Sequence, residues 1–209
     1  QIICDTRAHA EYYAHELTDD IDAADKMAVI YLEADKSVYH PLHADRASVL
    51  KRIFPGYYPD ASVYDLKLVL YFGTVLPLQG ADIVYKAMTD LVTDGDFLCI
   101  FIGPVQRVRG ITPIKHKNLL CADWVSQEKL ALLTDISDIC LAGHFNSRID
   151  KAKRTIPGKA FIYEAMDKTM IIGDNPANRE YFAPSHKHIY VEMGSSESIY
   201  NAVRHEFGI

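Results

Sequence analysis

The densest chemistry in the sequence lies between Arg148 and Lys159, where Arg148, Lys151, Lys153, Arg154 and Lys159 stand against a single acid, Asp150. Taken alone, such a run is equally a solvated surface loop. Here it leads into Pro157-Gly158, a helix start whose free N–H groups and positive dipole end favour an anion. A diphosphate suits that place, because its oxygens accept charged hydrogen bonds from Lys151, Arg154 and Lys159. A second candidate is the loop from Phe72 to Gly80 (FGTVLPLQG), in which Gly73 follows an apolar run and its bare backbone can approach a ligand. Thr74 and Gln79 offer polar contacts there. Glycine in this place also occurs in loops that bind nothing, so both readings stand. His144 follows another apolar run and is placed either to touch a sugar or phosphate or to serve the core.

In an open parallel sheet, ligands gather beyond the carboxyl ends of the strands, so these segments meet only if they leave neighbouring strands. The patterning supplies such strands. Apolar runs at 67–72, 97–102, 136–142, 170–172 and 188–191 read as buried strands, and helical periodicity covers 81–91, 127–133, 157–166 and 195–207. This alternation predicts an α/β fold, a doubly wound parallel sheet of Rossmann-like type, over residues 66–209. Upstream the rhythm changes. Residues 1–5 read as a strand, 7–17 as a helix and 27–32 as a strand, too little to bury their own faces. Residues 1–45 are therefore expected to close a preceding, truncated domain, and the turn-rich stretch 46–65, with Pro55, Gly56 and Pro59, to be a linker.

The 209 residues are 49% hydrophobic and 24% charged, with a formal net charge of −6, which excludes a disordered chain and argues against a nucleic-acid partner. No apolar stretch nears the ~20 residues that span a bilayer as a helix. Cys4, Cys99, Cys121 and Cys140 are spaced as reduced, buried thiols of a cytoplasmic protein and not as zinc ligands. The single tryptophan, Trp124, is expected in the core. The acidic run Asp19, Asp20, Asp22 and Asp25 lacks a glycine at calcium-loop spacing and reads as solvated. Motifs of the types GxSxG, GxxxxGK[ST] and GxGxxG are absent, which weakens hydrolase, NTPase and nicotinamide readings.

Together these segments resemble the retaining glycosyltransferases of the GT-B fold, glycosyltransferase family 4 (group 1), over nearly the whole chain. Ile3 to Tyr13 (ICDTRAHAEYY) is similar to the last strand and helix of the acceptor-binding domain, and 27–41 to the passage into the donor domain. Val69 to Gly80 resembles the first strand and loop of the donor domain, and Ala122 to Leu130 (ADWVSQEKL) its base-side segment. The most specific likeness is Lys151 to Lys159 (KAKRTIPGK) followed by Gly173 to Glu180 (GDNPANRE).

The resemblance implies transfer of a hexose, with retention, from a UDP- or GDP-linked nucleotide sugar to a glycan or lipid-linked acceptor in polysaccharide biosynthesis. It implies no metal or other cofactor, with the leaving phosphate helping to deprotonate the acceptor. Lys151, Arg154 and Lys159 become the catalytic cations, and Gly73, Thr74, Gln79, His144, Gly158 and Glu164 the donor contacts. Two departures stand out. Thr74 and Gln79 replace cations that many members carry. The family's ribose-binding glutamate falls on Ile162 in a gap-free count, with Glu164 the nearest acid, about 200° round the helix. Either Glu164 makes that contact or the contact is lost. The alternative is a non-catalytic nucleotide-sugar or partner-binding module of the same fold; a nucleotide-sugar epimerase shares the fold only. A chain without its acceptor half is expected to bind a nucleoside diphosphate without transferring sugar. Its expected place is the cytoplasm, at or near the inner face of a membrane.

Overall fold

The computed structural model describes residues 2–16, 24–58 and 60–209, so the acidic residues Asp19, Asp20 and Asp22 lie outside it. Its elements run β1 (Ile2–Cys4), α1 (Arg7–Glu16), β2 (Met27–Val29), α2 (Arg46–Ile53), β3 (Lys67–Phe72), α3 (Ala81–Asp94), β4 (Phe97–Ile102) and β5 (Leu119–Ala122). The chain continues with α4 (Gln127–Asp135), β6 (Ile139–Gly143), α5 (Lys151–Arg154), α6 (Gly158–Ala165), β7 (Thr169–Gly173), α7 (Pro176–Tyr181), β8 (His188–Val191) and α8 (Ser196–Glu206). Six strands form one all-parallel sheet in the order β5-β4-β3-β6-β7-β8. The order reverses between β3 and β6, and that switch point is where an open α/β sheet leaves a crevice for a ligand.

The reason for the layering is visible in β3. Successive side chains of a strand point to opposite faces, so Val69 and Tyr71 enter one layer and Leu68 and Leu70 the other. Helix α3 buries Val84, Tyr85, Met88, Leu91 and Val92 against the first layer, the i, i+3, i+4, i+7 stripe of an amphipathic helix. Leu50 of α2 and Ala160, Phe161 and Tyr163 of α6 fill the second.

Residues 46–65 correct the expectation of a linker. Asp45 caps α2 by accepting from the Ser48 N–H at 2.9 Å, and Val49 and Leu50 are buried in the core. Arg46 donates to the Leu66 carbonyl at 2.9 Å and to Asp138 at 2.8 Å, which ties the helix to the start of β3. The turn formers downstream concealed an eight-residue helix. Leu50→Ala should therefore destabilise the domain by about 2 to 5 kcal/mol, the cost of a large-to-small core change. Chemical denaturation checks this, and a loss of less than about 0.5 kcal/mol would restore the linker reading.

The N-terminal elements form their own two-stranded parallel sheet, with Ile2 opposite Met27. Helix α1 rests against α5 and α7. Glu180 of α7 accepts from the N–H groups of Arg7 at 2.7 Å and Ala8 at 3.1 Å, capping α1 from outside its own chain segment. Among the described residues no helix is long and apolar enough to cross a membrane.

Candidate functional site

The loops leaving β3 and β6 are laced together at the switch point. The Phe145 N–H donates to the Gln79 carbonyl at 3.3 Å, Asn146 N–H to the Leu78 carbonyl at 3.4 Å, and the Asn146 amide to the Pro77 carbonyl at 2.8 Å. Gly80 is required here: its φ is 67°, and a Cβ would lie 3.0 Å from the Phe145 and Asn146 backbone. The loop after β4 closes in as well, because a Cβ on Gly103 would meet the Gly73 carbonyl at 2.5 Å.

Inside this frame four side chains converge. Lys159, on the first turn of α6, is only 6% exposed, and its ammonium donates to the Gln79 amide oxygen at 2.7 Å. It also sits 4.3 Å from the centre of the Tyr71 ring. The Tyr71 hydroxyl donates to the same Gln79 oxygen at 2.9 Å, and burial holds that phenol well above its ordinary range, so it remains a donor. Burial alone pulls the Lys159 ammonium down to about 7, with no carboxylate among the described residues to offset it. His144 is 5% exposed, and its Nδ1 is buried without a hydrogen-bond partner. Burial first, then the charges of Lys159 and Lys151, push it down to about 3, so its ring is neutral at physiological pH. Pro157 leads into α6 with no side-chain cap, so the N–H groups of Gly158 and Lys159 open the helix without a side-chain partner.

The crevice thus gathers Gly73, Thr74, Gln79, His144, Gly158 and Lys159 from the residues singled out in the sequence. Thr74 is exposed and takes a long 3.4 Å contact from the Gln79 amide nitrogen. Lys151 lies exposed at the rim, near enough for its charge to act on His144. Two expected residues lie elsewhere. Arg154 pairs with Asp150 and stacks 3.5 Å over the Tyr12 ring, so its guanidinium serves the docking of α1. Glu164 accepts from His188 at 2.7 Å at the amino end of β8, the edge of the sheet away from the crevice, which corrects its assignment to a ribose.

Two further expectations are corrected. Trp124 is 77% exposed in the loop beyond β5 and is no core residue. Cys121 is exposed because β5 is an edge strand, while Cys4, Cys99 and Cys140 are buried; none forms a disulfide. The Gly173 to Glu180 segment serves the scaffold: Asn175 caps α7 through the Asn178 N–H at 2.8 Å, and Arg179 turns back onto Asp174. Tyr71 is the site residue that sequence reading missed. Its place on the same strand face as Val69, two residues before Gly73, was the available signal.

A cleft of about 1020 Å³ lies at the opposite edge of the sheet beside Phe54, Tyr57 and Asn118. It holds neither the buried Lys159 nor His144, and in this class of sheet the chemistry sits at the carboxyl edge. Among the described residues no three His, Cys, Asp or Glu side chains converge to hold a metal ion.

No protein-family model and no curated protein sequence matches the chain. Solved structures do. A glycosyltransferase from Rickettsia africae superposes with a TM-score of 0.71 at 15% identity, over 100% of this chain and 53% of its own. Sucrose-phosphate synthase from Thermosynechococcus elongatus gives 0.69 at 12% identity, over 99% of this chain and 48% of its own. HepE from Anabaena, crystallised with UDP and glucose, gives 0.65 at 13% identity, over 97% and 52%. The chain therefore spans about half the length of the structures it matches. At these identities the likeness is one of architecture: six parallel strands flanked by helices, a Rossmann-like α/β fold that matches these glycosyltransferase structures.

Proposed function

We propose that this chain is the donor-binding part of a glycosyltransferase and holds the diphosphate of a nucleotide sugar in the crevice between β3 and β6. The observation that carries the reading is Lys159, a buried ammonium with no counter-charge among the described residues, set at a helix N-terminus over bare glycine backbone. A buried cation is costly unless something anionic completes it. The complexes of HepE with UDP and with UDP-glucose support a ligand of this class.

In the reaction, the bond between the sugar's anomeric carbon and the diphosphate oxygen breaks, and the acceptor hydroxyl oxygen takes its place with retention. The departing phosphate oxygen receives the hydroxyl proton. Negative charge grows on the diphosphate as the bond breaks, so the residues that matter are those preorganised around it. Lys159 supplies the cation, the Gly158 and Lys159 N–H groups the dipole, and neutral His144 a hydrogen bond that costs no charge. Lys151 adds positive potential at the rim. This reading gives the stabilisation to the protein alone, without a metal ion. Trp124, exposed at the same edge of the sheet, offers a flat face for the base. The acceptor, a glycan or lipid-linked sugar of polysaccharide synthesis, would be met by a partner domain at the cytoplasmic face of a membrane.

Thermal unfolding in millimolar UDP, GDP or ADP tests this, since a ligand that binds only the folded state raises the midpoint. At a hundredfold excess over Kd the gain is about 2.7 kcal/mol, or several degrees. At least one of the three should shift it. No shift with any would overturn the donor-site assignment. Gln79 and Thr74, neither of them cationic, favour a second reading, a non-catalytic module of the same fold. Turnover of a nucleotide sugar by a protein that contains the preceding domain would exclude it.

A further inference from the structure

We infer that Gln79 is a built-in competitor for the oxyanion site: its amide oxygen occupies the place of a phosphate oxygen and must swing away for a diphosphate to bind. The inference rests on the reading of this crevice as a diphosphate site.

The geometry supports it at each end of the side chain. The Gln79 oxygen accepts from Lys159 at 2.7 Å and from Tyr71 at 2.9 Å, which are the two donors a phosphate oxygen would use. It lies on the open side of Gly73, 2.3 Å from where a Cβ would stand, so it fills the space that the glycine leaves free. The His144 Nδ1, also buried at this edge, is left without a partner. That unused donor or acceptor indicates a site still to be completed.

The other end is loosely held. Among the described residues the Gln79 amide nitrogen makes only the 3.4 Å contact to exposed Thr74. The backbone of Gln79 is fixed in the short turn Pro77–Gln79 and by its bond to Phe145, so rotation about side-chain bonds moves the amide without disturbing the loop. A neutral amide oxygen satisfies the buried ammonium in the free protein. A phosphate oxygen is the stronger acceptor for the same charge, and exchange runs toward the ligand. A direct donor contact, the role expected from sequence, makes the opposite prediction for truncation.

Calorimetric titration of the whole chain with inorganic pyrophosphate and with UDP separates the two. Gln79→Ala should bind pyrophosphate about three- to tenfold more tightly than the wild type, because one charged hydrogen bond no longer has to be broken first. Gln79→Ser, too short to reach Lys159, should do the same and serves if the alanine variant folds poorly. Unchanged or weaker binding in both variants overturns the competitor. If Lys159→Met abolishes binding while Gln79→Ala weakens it, the diphosphate site stands and the competitor falls. If no form of the protein binds either ligand, both fall.

Discussion

Lys159→Met is expected to make the protein more stable at neutral pH while removing its affinity for a diphosphate. The two effects have one cause. The ammonium lies in a nearly dry position, satisfied only by a neutral amide and an aromatic face. Burial lowers the lysine from 10.5 to about 7, so between those values the unfolded chain holds a proton that the folded chain has lost. The unfolded state binds more protons there, and stability consequently rises as pH climbs from about 7 to 10.5. Below that window both states are protonated and the full penalty of burying the charge is present. Methionine keeps the volume and removes the charge, with a gain on the order of 1 to 3 kcal/mol near pH 7 that fades as pH climbs toward 10.5. The same change removes the cation that faces the ligand, a loss of roughly tenfold to a hundredfold in affinity for one charged hydrogen bond. Thermal melts and UDP titrations of the same samples check both. A variant that is destabilised, or that binds UDP as before, would show that Lys159 serves the fold.

Gly173→Ala should destabilise the protein through the frame of the site itself. A Cβ there would stand 2.1 Å from the His144 carbonyl oxygen and 3.0 Å from the Met193 side chain. Methionine can give way, whereas the carbonyl belongs to the backbone that leads β6 into the site. The loop after β6 must move, at a cost on the order of 3 kcal/mol. It carries His144 and Phe145 with it. Gly73→Ala meets mainly the mobile end of Gln79, so the comparison has an internal control. Equal melting temperatures for the two variants would show that the loop after β6 is softer than its contacts imply.

Much of this was legible in the residues. Strands β3 and β4 begin and end where the apolar runs do, since strands buried on both faces leave no ambiguity of period, and β8 matches its run although it is a half-buried edge strand. The first residues of the run at 136–142 belong instead to the end of α4, where the Ser137 hydroxyl donates to the Leu133 carbonyl at 2.6 Å and Asp138 receives Arg46. Edge strand β5 was missed because only four residues pair and half of its surface is open. At the site, local pattern placed Gly73, Gln79, His144 and Lys159 at one edge. It could not place Arg154, whose position depends on the docking of α1 against α5 through Tyr12. Nor could helix counting foresee that Glu164 would reach back to His188, a contact made only in three dimensions.

The meeting of one buried ammonium with one diphosphate is reported directly by the affinity for UDP between pH 7 and 9. The terminal phosphate of UDP, with its second pKa near 6, is ionised throughout that range. His144, held down to about 3, and Tyr71, held high, do not titrate there. Binding should require that Lys159 regain its proton, so Kd should rise by about tenfold per pH unit above 7 in the wild type. Lys159→Met should show no such slope. A wild-type affinity that stays flat from pH 7 to 9 would contradict the central claim.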